Sequence, residues 1–308
     1  MIPAERMRAV VAALQLGDLD PEPLASGLSS LAWRIRSAGG DSVLRLPVDK
    51  DDGVGSYPIE HALLACLTAL DAPVPAPIQG SWLIPGWQLD PFSLASFVPG
   101  VRLRPESSEW AAAPIAAFLR LLHSIPADGF GPLIEVDGQL GGRCNQPEAG
   151  LQAAFEGFSL WPFADTRLSA HPAWLLNEQL LSEVETYAEL VAEVASRGPA
   201  VIVHSDLHEE NILEDDGRLG FIDFGECFIG SAGWDFAAIA YFSGWSLAER
   251  VAVAYLAGPD PRRVLESLPA LALCFGLFRW QQDRRLGVDA EAHNEAFVRQ
   301  SLARLSVR

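Results

Sequence analysis

Residues 201–225 read V-I-V-H-S-D-L-H-E-E-N-I-L-E-D-D-G-R-L-G-F-I-D-F-G. An apolar run stands near each end of this stretch, at Val201–Val203 and at Leu219–Ile222, and a polar loop separates the two runs. Short apolar runs bounded by polar and glycine-containing turns are typical of strands. The stretch therefore predicts two strands, with polar side chains at the points where the strands end.

Three of these polar residues stand in a fixed order: Asp206, then Asn211 five positions later, then Asp223 after the second predicted strand. Phosphoryl transfer from a nucleoside triphosphate uses this order. The first Asp accepts the proton of the attacking hydroxyl, while the Asn and the second Asp hold magnesium on the phosphates. A single Asp or Asn is more often a turn residue. The spaced set with its flanking strands predicts Asp206 as catalytic base and Asn211 and Asp223 as ligands of Mg²⁺.

Length and composition indicate a folded chain of two packed units. The chain has 308 residues, more than usually close around one core, with 49% hydrophobic and 20% charged residues. It has no apolar run long enough to cross a bilayer, and acidic residues flank the N-terminal apolar patch, which argues against a signal peptide. The four cysteines show neither metal-ligand nor disulfide spacing. We therefore expect a cytoplasmic protein that binds no membrane.

The net charge of the chain indicates which classes of partner it can bind. The formal net charge is −18, and nucleic-acid binders need basic surface, so we expect no nucleic-acid partner. The same charge would attract a cationic small substrate, although it also serves solubility alone. Lys50 is the only lysine of the chain. A cation that binds phosphate must therefore be this lysine or an arginine.

The first third of the chain is rich in predicted strands. The pattern predicts, in order, strands Leu28–Ile35 and Ser42–Leu46, the helix Ile59–Leu70, and strands Ser81–Ile84 and Leu94–Val98. From Ala111 onward apolar residues recur at helical spacing, and residues 201–222 are the only predicted strand region there. We therefore predict an α+β, bilobal, protein-kinase-like fold with the nucleotide between the lobes. Residues 1–98 would form a small β-rich N-terminal lobe with one main helix, and residues 99–308 a larger helical C-terminal lobe.

The chain contains V-H-S-D-L-H-E-E-N-I-L, F-I-D-F-G-E and G-S-A-G-W-D-F-A-A-I-A, in this order, with weaker support from S-V-L-R-L-P, F-V-P-G and L-L-H-S-I-P. With these motifs it resembles the aminoglycoside phosphotransferase family, the antibiotic and small-molecule kinases that share the protein-kinase fold. The matching pieces touch most of residues 24–240. The resemblance implies ATP or GTP as phosphate donor, Mg²⁺ as cofactor and a small-molecule hydroxyl acceptor, expected to be cationic. It assigns Asp206, Asn211 and Asp223 the roles given above.

The resemblance also implies a phosphate-binding cation in the N-terminal lobe. The position of the strand lysine of protein kinases holds Arg45, which we expect to bind the nucleotide and to pair with Glu60 on the following helix. Arg45 alternates with Leu44 and Leu46, so its side chain points to the opposite face of the predicted strand. Lys50 is the competing candidate, but it stands in an acidic turn where a solvated side chain is the default.

Two further segments are predicted to bind the nucleotide. The chain has no G-x-G-x-x-G motif, and residues 25–30, A-S-G-L-S-S, take its place. One glycine and the hydroxyls of Ser29 and Ser30 would donate hydrogen bonds to the phosphates. Phe97 and Val98, in the hinge F-V-P-G, complete the predicted nucleotide site.

Four other residues near the catalytic segment have an expected role. His204 is predicted to orient the catalytic loop by hydrogen bonding. His208 is a loop residue close enough to Asp206 to touch substrate or phosphate. Glu226 is expected either to contact the metal or a cationic substrate, or to lie on a solvated face. Asp235, in G-W-D-F, matches a family position that caps a helix and braces the catalytic loop.

The leading hypothesis is therefore a kinase that phosphorylates a hydroxyl of an aminoglycoside-type antibiotic and acts as a monomer or weak dimer. The alternatives are a macrolide or other antibiotic kinase, a metabolic kinase for a sugar, amino alcohol or choline-like compound, and a nucleotide-binding pseudokinase. The complete Asp206, Asn211 and Asp223 set argues against the pseudokinase. Acidic residues of the helical lobe suit a polycation, and its aromatic residues suit a flatter acceptor.

Overall fold

The computed structural model describes residues 3–17, 21–24, 30–48, 56–104, 108–155, 160–163, 165, 167, 171–197, 199–256 and 262–307. These residues divide into two compact units. Unit 1 comprises Met1–Val101 and Leu213–Gly225, and unit 2 comprises Arg102–Ile212 and Glu226–Arg308. Within the described ranges, no helix is both long and apolar enough to cross a membrane.

The first 104 residues contain half of the strands found in the described part of the chain. Their elements are α1 (Pro3–Ala13), β1 (Glu22–Pro23), β2 (Ser30–Ile35), β3 (Ser42–Pro47), α2 (Tyr57–Ala69), β4 (Pro77–Gly80), a 3-10 helix (Ser81–Leu83), β5 (Ser93–Ser96) and β6 (Val101–Arg102). The next hundred residues contain α3 (Ser108–His123), β7 (Phe130–Val136), β8 (Gln139–Cys144), α4 (Pro147–Ala154), a 3-10 helix (Pro172–Trp174), α5 (Glu178–Glu185), α6 (Ala188–Ala195) and β9 (Ala200–Val203). The remainder contains β10 (Ile212–Asp215), β11 (Arg218–Phe221), β12 (Phe228–Ser231), α7 (Gly233–Ser243), α8 (Trp245–Leu256), α9 (Arg262–Leu286) and α10 (Glu291–Ser306).

Unit 1 is built on an antiparallel sheet in the order β1-β2-β3-β5-β4. In the central strand β3, Leu44 and Leu46 are fully buried while Val43 and Arg45 are only partly covered, the alternation expected of a strand with one face on the core. One apolar face of α1 covers that core, because Met7 and Val10 pack with the buried residues of β2, β3 and β5. Arg45 therefore lies on the face of the sheet opposite this core.

The β10–β11 hairpin belongs to unit 1 although it comes late in the chain. The backbone N–H of Phe221 donates to the carbonyl of Pro73 at 2.9 Å. A Cβ on Gly220 would lie 2.4 Å from Val98, and one on Gly100, whose φ is +135°, would lie 2.9 Å from the carbonyl of Glu214. These close approaches join residues 213–225 to the first hundred residues. The predicted domains, 1–98 and 99–308, follow chain order, and their boundary stays a prediction.

Unit 2 is mainly helical. Its sheet has the order β8-β7-β12-β9, and all three pairings are antiparallel. Helix α7 is buried along its first nine residues because α8 and α9 pack against it. Helix α10 packs on α9. A β-rich unit that contains α2 and a larger helical unit confirm the predicted α+β fold class.

Three details of the predicted secondary structure were wrong, and one of them is β12, which lies beyond the strand region expected at residues 201–222. The strand expected at Ser81–Ile84 is a 3-10 helix, and the strand stands earlier, at β4. The hairpin β7–β8 was missed in a region predicted to be helical up to residue 200. Its turn is Asp137-Gly138, with φ of +53° and +78°, and Asp-Gly is a strong sequence signal for this two-residue hairpin turn.

Candidate functional site

The predicted catalytic loop begins where β9 ends. Strand β9 is anchored by antiparallel pairing with β12, with Val203 opposite Phe228, and its last two residues are fully buried. His204 is also fully buried, and Ser205 has a left-handed backbone with φ of +63°. Such a conformation is costly for a serine, so the surrounding contacts must hold it. The chain turns here from the sheet towards Asp206.

Asp235 supplies those contacts. It lies in the first turn of α7 and is fully buried. Its Oδ1 accepts the backbone N–H of Ser205 at 2.8 Å, and its Oδ2 accepts the backbone N–H of His204 at 3.2 Å. The Nε2 of His123 is 2.9 Å from the same Oδ2. A buried carboxylate that receives several donors is strongly held, so Asp235 clamps the start of the loop, in agreement with the bracing role predicted for it. The predicted capping role was wrong, because Asp235 is the third residue of α7 and the residue at the N-cap is Ala232.

Asp206, His208 and Asn211 form one hydrogen-bonded group. Asn211 Nδ2 donates to the backbone carbonyl of Asp206 at 2.9 Å and to its Oδ2 at 3.2 Å. His208 Nε2 lies 3.4 Å from the same carboxylate oxygen. The backbone N–H of Glu210 donates to His208 Nδ1 at 3.2 Å, so the ring proton of the neutral His208 is on Nε2, towards Asp206. The 3.0 Å approach of Asn211 Nδ2 to Nε2 is then not a hydrogen bond, because both nitrogens are donors.

The charges of this group stabilise each other. Burial by itself raises the pKa of Asp206, but the hydrogen bond from His208, and the positive charge of His208 when it is protonated, outweigh burial, so the pKa lies below its usual value. Burial likewise lowers the pKa of His208, and Asp206 more than reverses this, so the pKa of His208 is raised. Asp206 is therefore an ionised carboxylate at neutral pH that can accept a hydrogen bond from a hydroxyl.

Unit 1 contains the second predicted group, centred on Arg45. Strand β3 places Arg45 between Ala32 of β2 and Ser93 of β5. Its Nη1 donates to Glu60 Oε1 at 2.6 Å, and Glu60 is only 4% exposed. Burial alone would lower the pKa of Arg45, but Glu60 and then Asp223 raise it above its usual value. The pKa of Glu60 is raised, because burial outweighs the attraction of Arg45.

Asp223 joins the same group. It follows β11 with a left-handed backbone, φ of +65°, and its side chain is 52% exposed. Its Oδ1 lies 3.5 Å from Arg45 Nη2, and the backbone N–H of the next residue, Phe224, bonds to Glu60. The segment that carries Asp223 is therefore tied to α2 and β3 through the pair Arg45–Glu60. The half-exposed carboxylate remains open on its other side.

The other predicted nucleotide residues differ in their contacts. Arg45 Nε is 3.4 Å from Ser30 Oγ, which brings Ser30 into this group. Phe97 instead packs under the guanidinium of Arg34, at 4.1 Å from the ring centroid, and Val98 packs on Gly220. Ser29 and Lys50 lie outside the described residues.

The two predicted metal ligands, Asn211 and Asp223, can be judged by the chemistry of their oxygen atoms. Among the described residues there is no cluster of three or more His, Cys, Asp or Glu side chains arranged to hold a metal. Asn211 and Asp223 would instead supply an amide oxygen and a carboxylate, the hard donors that Mg²⁺ takes together with phosphate oxygens and water. Asn211 is almost fully buried, whereas Asp223 is half exposed. The two residue types fit magnesium.

A cleft of about 290 Å³ lies in unit 2 beside the catalytic loop. Its lining residues come from the loop and from α7, α9 and α10: His208, Glu209, Glu210, Tyr241, Phe242, Arg279 and His293. Only His208 was predicted to contact substrate. Tyr241, Phe242, Arg279 and His293 were missed, because helical periodicity shows which face of a helix is apolar but not which residues of distant helices meet at a cleft. Among the aromatic residues of the helical lobe, Phe155 and Trp161 are buried in the core and do not line this cleft.

The chain matches one protein-family model and several solved structures. The model of the phosphotransferase enzyme family matches residues 20–266. No curated protein matches the chain. Similar solved structures include a ternary complex of a thermostable mutant of aminoglycoside phosphotransferase APH(4)-Ia with AMP-PNP and hygromycin B, at 18% identity, a TM-score of 0.65 and coverage of 94% of this chain and 92% of that one.

Two other similar structures hold a nucleotide or an antibiotic. The GDP complex of aminoglycoside 2'-phosphotransferase-IIIa is 17% identical, with a TM-score of 0.65 and coverage of 96% and 98% of the two chains. The gentamicin complex of APH(2")-IIa is 18% identical, with a TM-score of 0.61 and coverage of 100% and 97%. At these identities the likeness shows the fold, and it agrees with the predicted kinase-like fold class.

Proposed function

Because this chain belongs to the phosphotransferase enzyme family, we propose that it transfers the γ-phosphate of a nucleoside triphosphate to a hydroxyl of a small molecule. The observation that carries the proposal is the group Asp206–His208–Asn211, clamped by Asp235 at the end of β9. The nucleotide complexes of the similar structures support a nucleotide donor, ATP or GTP.

In this proposal Asp206 is the catalytic base. Its ionised carboxylate would accept a hydrogen bond from the acceptor hydroxyl and orient the oxygen towards the phosphorus. Because the transition state of phosphoryl transfer is loose, orientation contributes more than early removal of the proton. His208 Nε2 and Asn211 Nδ2 both approach Asp206 Oδ2, so they would fix the direction of the carboxylate while its other oxygen, Oδ1, faces the acceptor.

Asn211 and Asp223 are proposed as the ligands of Mg²⁺. The ion, when bound, would neutralise charge on the phosphates. Arg45 is proposed to bind the phosphates as well, held in position by Glu60, and the Ser29 and Ser30 hydroxyls would add hydrogen bonds. Phe97 and Val98 are proposed to contact the nucleotide from the segment after β5. The short ion pair Arg45–Glu60 supports the role of Arg45, because an anchored guanidinium loses little freedom on binding phosphate.

The acceptor proposed first is an aminoglycoside. Hygromycin B and gentamicin are bound by similar structures, so an aminoglycoside is the first acceptor to test. A macrolide, a sugar, an amino alcohol and a choline-like compound are the alternatives. Cytoplasmic location is part of the proposal and is supported by the four free cysteines, which suit a reducing compartment. Monomer or weak dimer stays a prediction.

The test is a phosphotransfer assay with ATP and GTP over a panel of hydroxylated compounds that spans these classes. Asp206→Asn and Asp206→Ala should lower kcat by about 10²-fold or more while nucleotide affinity and melting temperature change little. The matched control is Asp165→Asn, an exposed aspartate that pairs with Arg167. Near-normal kcat in Asp206→Asn would reject Asp206 as catalytic base, and phosphotransfer to no compound with intact nucleotide binding would favour the pseudokinase.

A further inference from the structure

We propose that the cleft beside Asp206 binds an acceptor that carries a carboxylate as well as its hydroxyl, and that Arg279 pairs with this carboxylate. The inference rests on the proposed function and narrows its acceptor class. It departs from the polycationic acceptor that the net charge favours. All the residues that carry this inference lie in unit 2.

Arg279 has only a long ion pair with a carboxylate among the described residues. The shortest ion pair found for it, to Asp283 Oδ1, is 3.8 Å long, which exceeds hydrogen-bond distance. The other oxygen of this carboxylate, Oδ2, accepts the hydroxyl of Tyr241 at 3.2 Å and the amide of Asn294 at 2.9 Å, and Arg279 also bonds to the side chain of Tyr241. The Nε of Arg279 is buried and has no hydrogen-bond partner among the described residues.

The guanidinium is also held in place. Its carbon lies 5.1 Å from the ring centroid of Phe242 and 5.8 Å from that of Tyr241. The side chain is 24% exposed, and Arg279 lines the cleft. A guanidinium packed over aromatic rings keeps its planar fork in one orientation, and that fork matches the two oxygens of a carboxylate. Little conformational freedom is then lost when an anion binds.

The same cleft extends to the side chains next to Asp206, the proposed catalytic base. His208, which lies 3.4 Å from Asp206 Oδ2, lines the cleft together with Arg279. The rings of His208 and Phe242 are 5.1 Å apart, and those of Tyr241 and His293 are 5.0 Å apart. These rings give the cleft a flat, partly apolar wall. An acceptor that places its hydroxyl at Asp206 would therefore lay its body on the aromatic wall and its acidic end at Arg279.

Two acidic residues at the cleft do not reverse this assignment. Glu210 already pairs with Arg102, at 2.5 Å, and both side chains are more than half exposed. Glu209 is exposed as well, so its charge is screened by solvent. These carboxylates would tolerate a single ammonium group on the acceptor. A compact polycation, in contrast, would bring positive charge against Arg279.

A series of three compounds with one scaffold tests the charge preference. The probes are 4-(hydroxymethyl)benzoate, 4-(hydroxymethyl)benzamide and 4-(hydroxymethyl)benzylamine, with charges of −1, 0 and +1. Their affinities are measured by calorimetric titration of the full chain without nucleotide. The benzoate should bind about tenfold or more tightly than the benzamide, and the benzylamine more weakly than both. Equal affinities, a reversed order, or no benzoate binding at millimolar concentration would overturn the proposal.

Variants assign the preference to Arg279. Arg279→Gln should abolish the advantage of the benzoate, and Arg279→Lys should keep part of it, because an ammonium supplies charge without the planar fork. Arg299→Gln, an exposed arginine of α10 paired with Glu295, should leave the order unchanged. A preference that survives Arg279→Gln would overturn the assignment, as would lost nucleotide affinity with unaltered probe affinities. The three-probe order in the native chain remains a test even where Arg279→Gln fails to fold.

Binding without nucleotide separates this inference from the proposed function. An intact charge preference with no phosphotransfer to any compound would reject the proposed function alone. Phosphotransfer that depends on Asp206, with no preference for the benzoate, would reject this inference alone.

Discussion

Replacing Arg45 by Ala removes the cation that faces the buried carboxylate of Glu60. In the native chain Arg45 Nη1 lies 2.6 Å from Glu60 Oε1, and Glu60 is 4% exposed. Removing one partner of a buried ion pair costs about 3–5 kcal/mol, because the remaining charge is left uncompensated. We therefore expect Arg45→Ala to lower the free energy of unfolding by about 3–5 kcal/mol at pH 7.

Replacing Glu60 by Gln in the Arg45→Ala variant should restore part of the lost free energy of unfolding. With Gln in place of Glu60, the double variant has no buried charge to compensate, and its loss should be about 1–3 kcal/mol, the cost of an imperfectly bonded amide. The two single changes would thus be non-additive, as expected for side chains in contact. Urea denaturation of the native chain, both single variants and the double variant gives the coupling energy.

The cost should also depend on pH. Burial raises the pKa of Glu60, and loss of Arg45 raises it further, so the folded chain binds this proton at a higher pH than the unfolded chain does. A folded pKa above the unfolded one gives stability at low pH that is lost as the pH rises. The destabilisation by Arg45→Ala should therefore be smaller at pH 5 than at pH 7.

The same variant tests the nucleotide site. Arg45→Ala should raise the KM for nucleotide sharply, Arg45→Lys should raise it less, and Lys50→Ala should be nearly silent. Arg36→Ala is the control for stability, because Arg36 is an exposed arginine paired with Glu22, and its loss should cost less than about 1 kcal/mol. A cost of Arg45→Ala that matches this control, or that is independent of pH, would refute the reasoning. A crippling Lys50→Ala with harmless Arg45→Ala would refute the nucleotide assignment.

Three further predictions concern the metal, the clamp and one buried histidine. Asp223→Ala should weaken magnesium-dependent nucleotide binding more than Asn211→Ala, because only Asp223 supplies a full negative charge; titration of nucleotide with and without magnesium measures both. Asp235→Asn turns one acceptor oxygen into a donor that faces the backbone N–H groups of the loop, so it should lower kcat and cost about 1.5–3 kcal/mol in urea denaturation. Burial lowers the pKa of His61 to about 4, so the unfolded chain binds this proton first and stability falls as the pH falls from about 6.5 to about 4. Titration of His61 should lower the free energy of unfolding of the native chain by about 2 kcal/mol between pH 7 and pH 5, and His61→Gln should abolish this decrease.

Each of these three expectations has a contrary result. Identical nucleotide affinities in the native chain and Asp223→Ala, with magnesium present, would exclude Asp223 as a ligand. Native kcat in Asp235→Asn would show that the loop does not need its clamp. A pH dependence of unfolding that is the same in His61→Gln and in the native chain would mean that His61 is not the titrating group.

The sequence by itself determined the features that depend on neighbours along the chain. The strand before Asp206 and the loop to Asn211 follow from an apolar run and a polar turn within a dozen residues. The opposed faces of Leu44 and Arg45 follow from the period of a strand, whereas the pair Arg45–Glu60, which the structure contains, was implied by the family resemblance. The Asp-Gly turn between β7 and β8 was equally local and was overlooked.

Only the tertiary structure decided which distant residues meet. Asp235 clamps residues thirty positions earlier, and Arg279 reaches the cleft beside His208 from a helix seventy positions later. Helical periodicity places both residues on a helix but does not predict which other element packs against each face of that helix. Such contacts arise when helices pack, and packing depends on the shapes of all the side chains between them. The order of Asp206, Asn211 and Asp223 could therefore be recognised in a local motif, while the set of residues that lines the cleft could not.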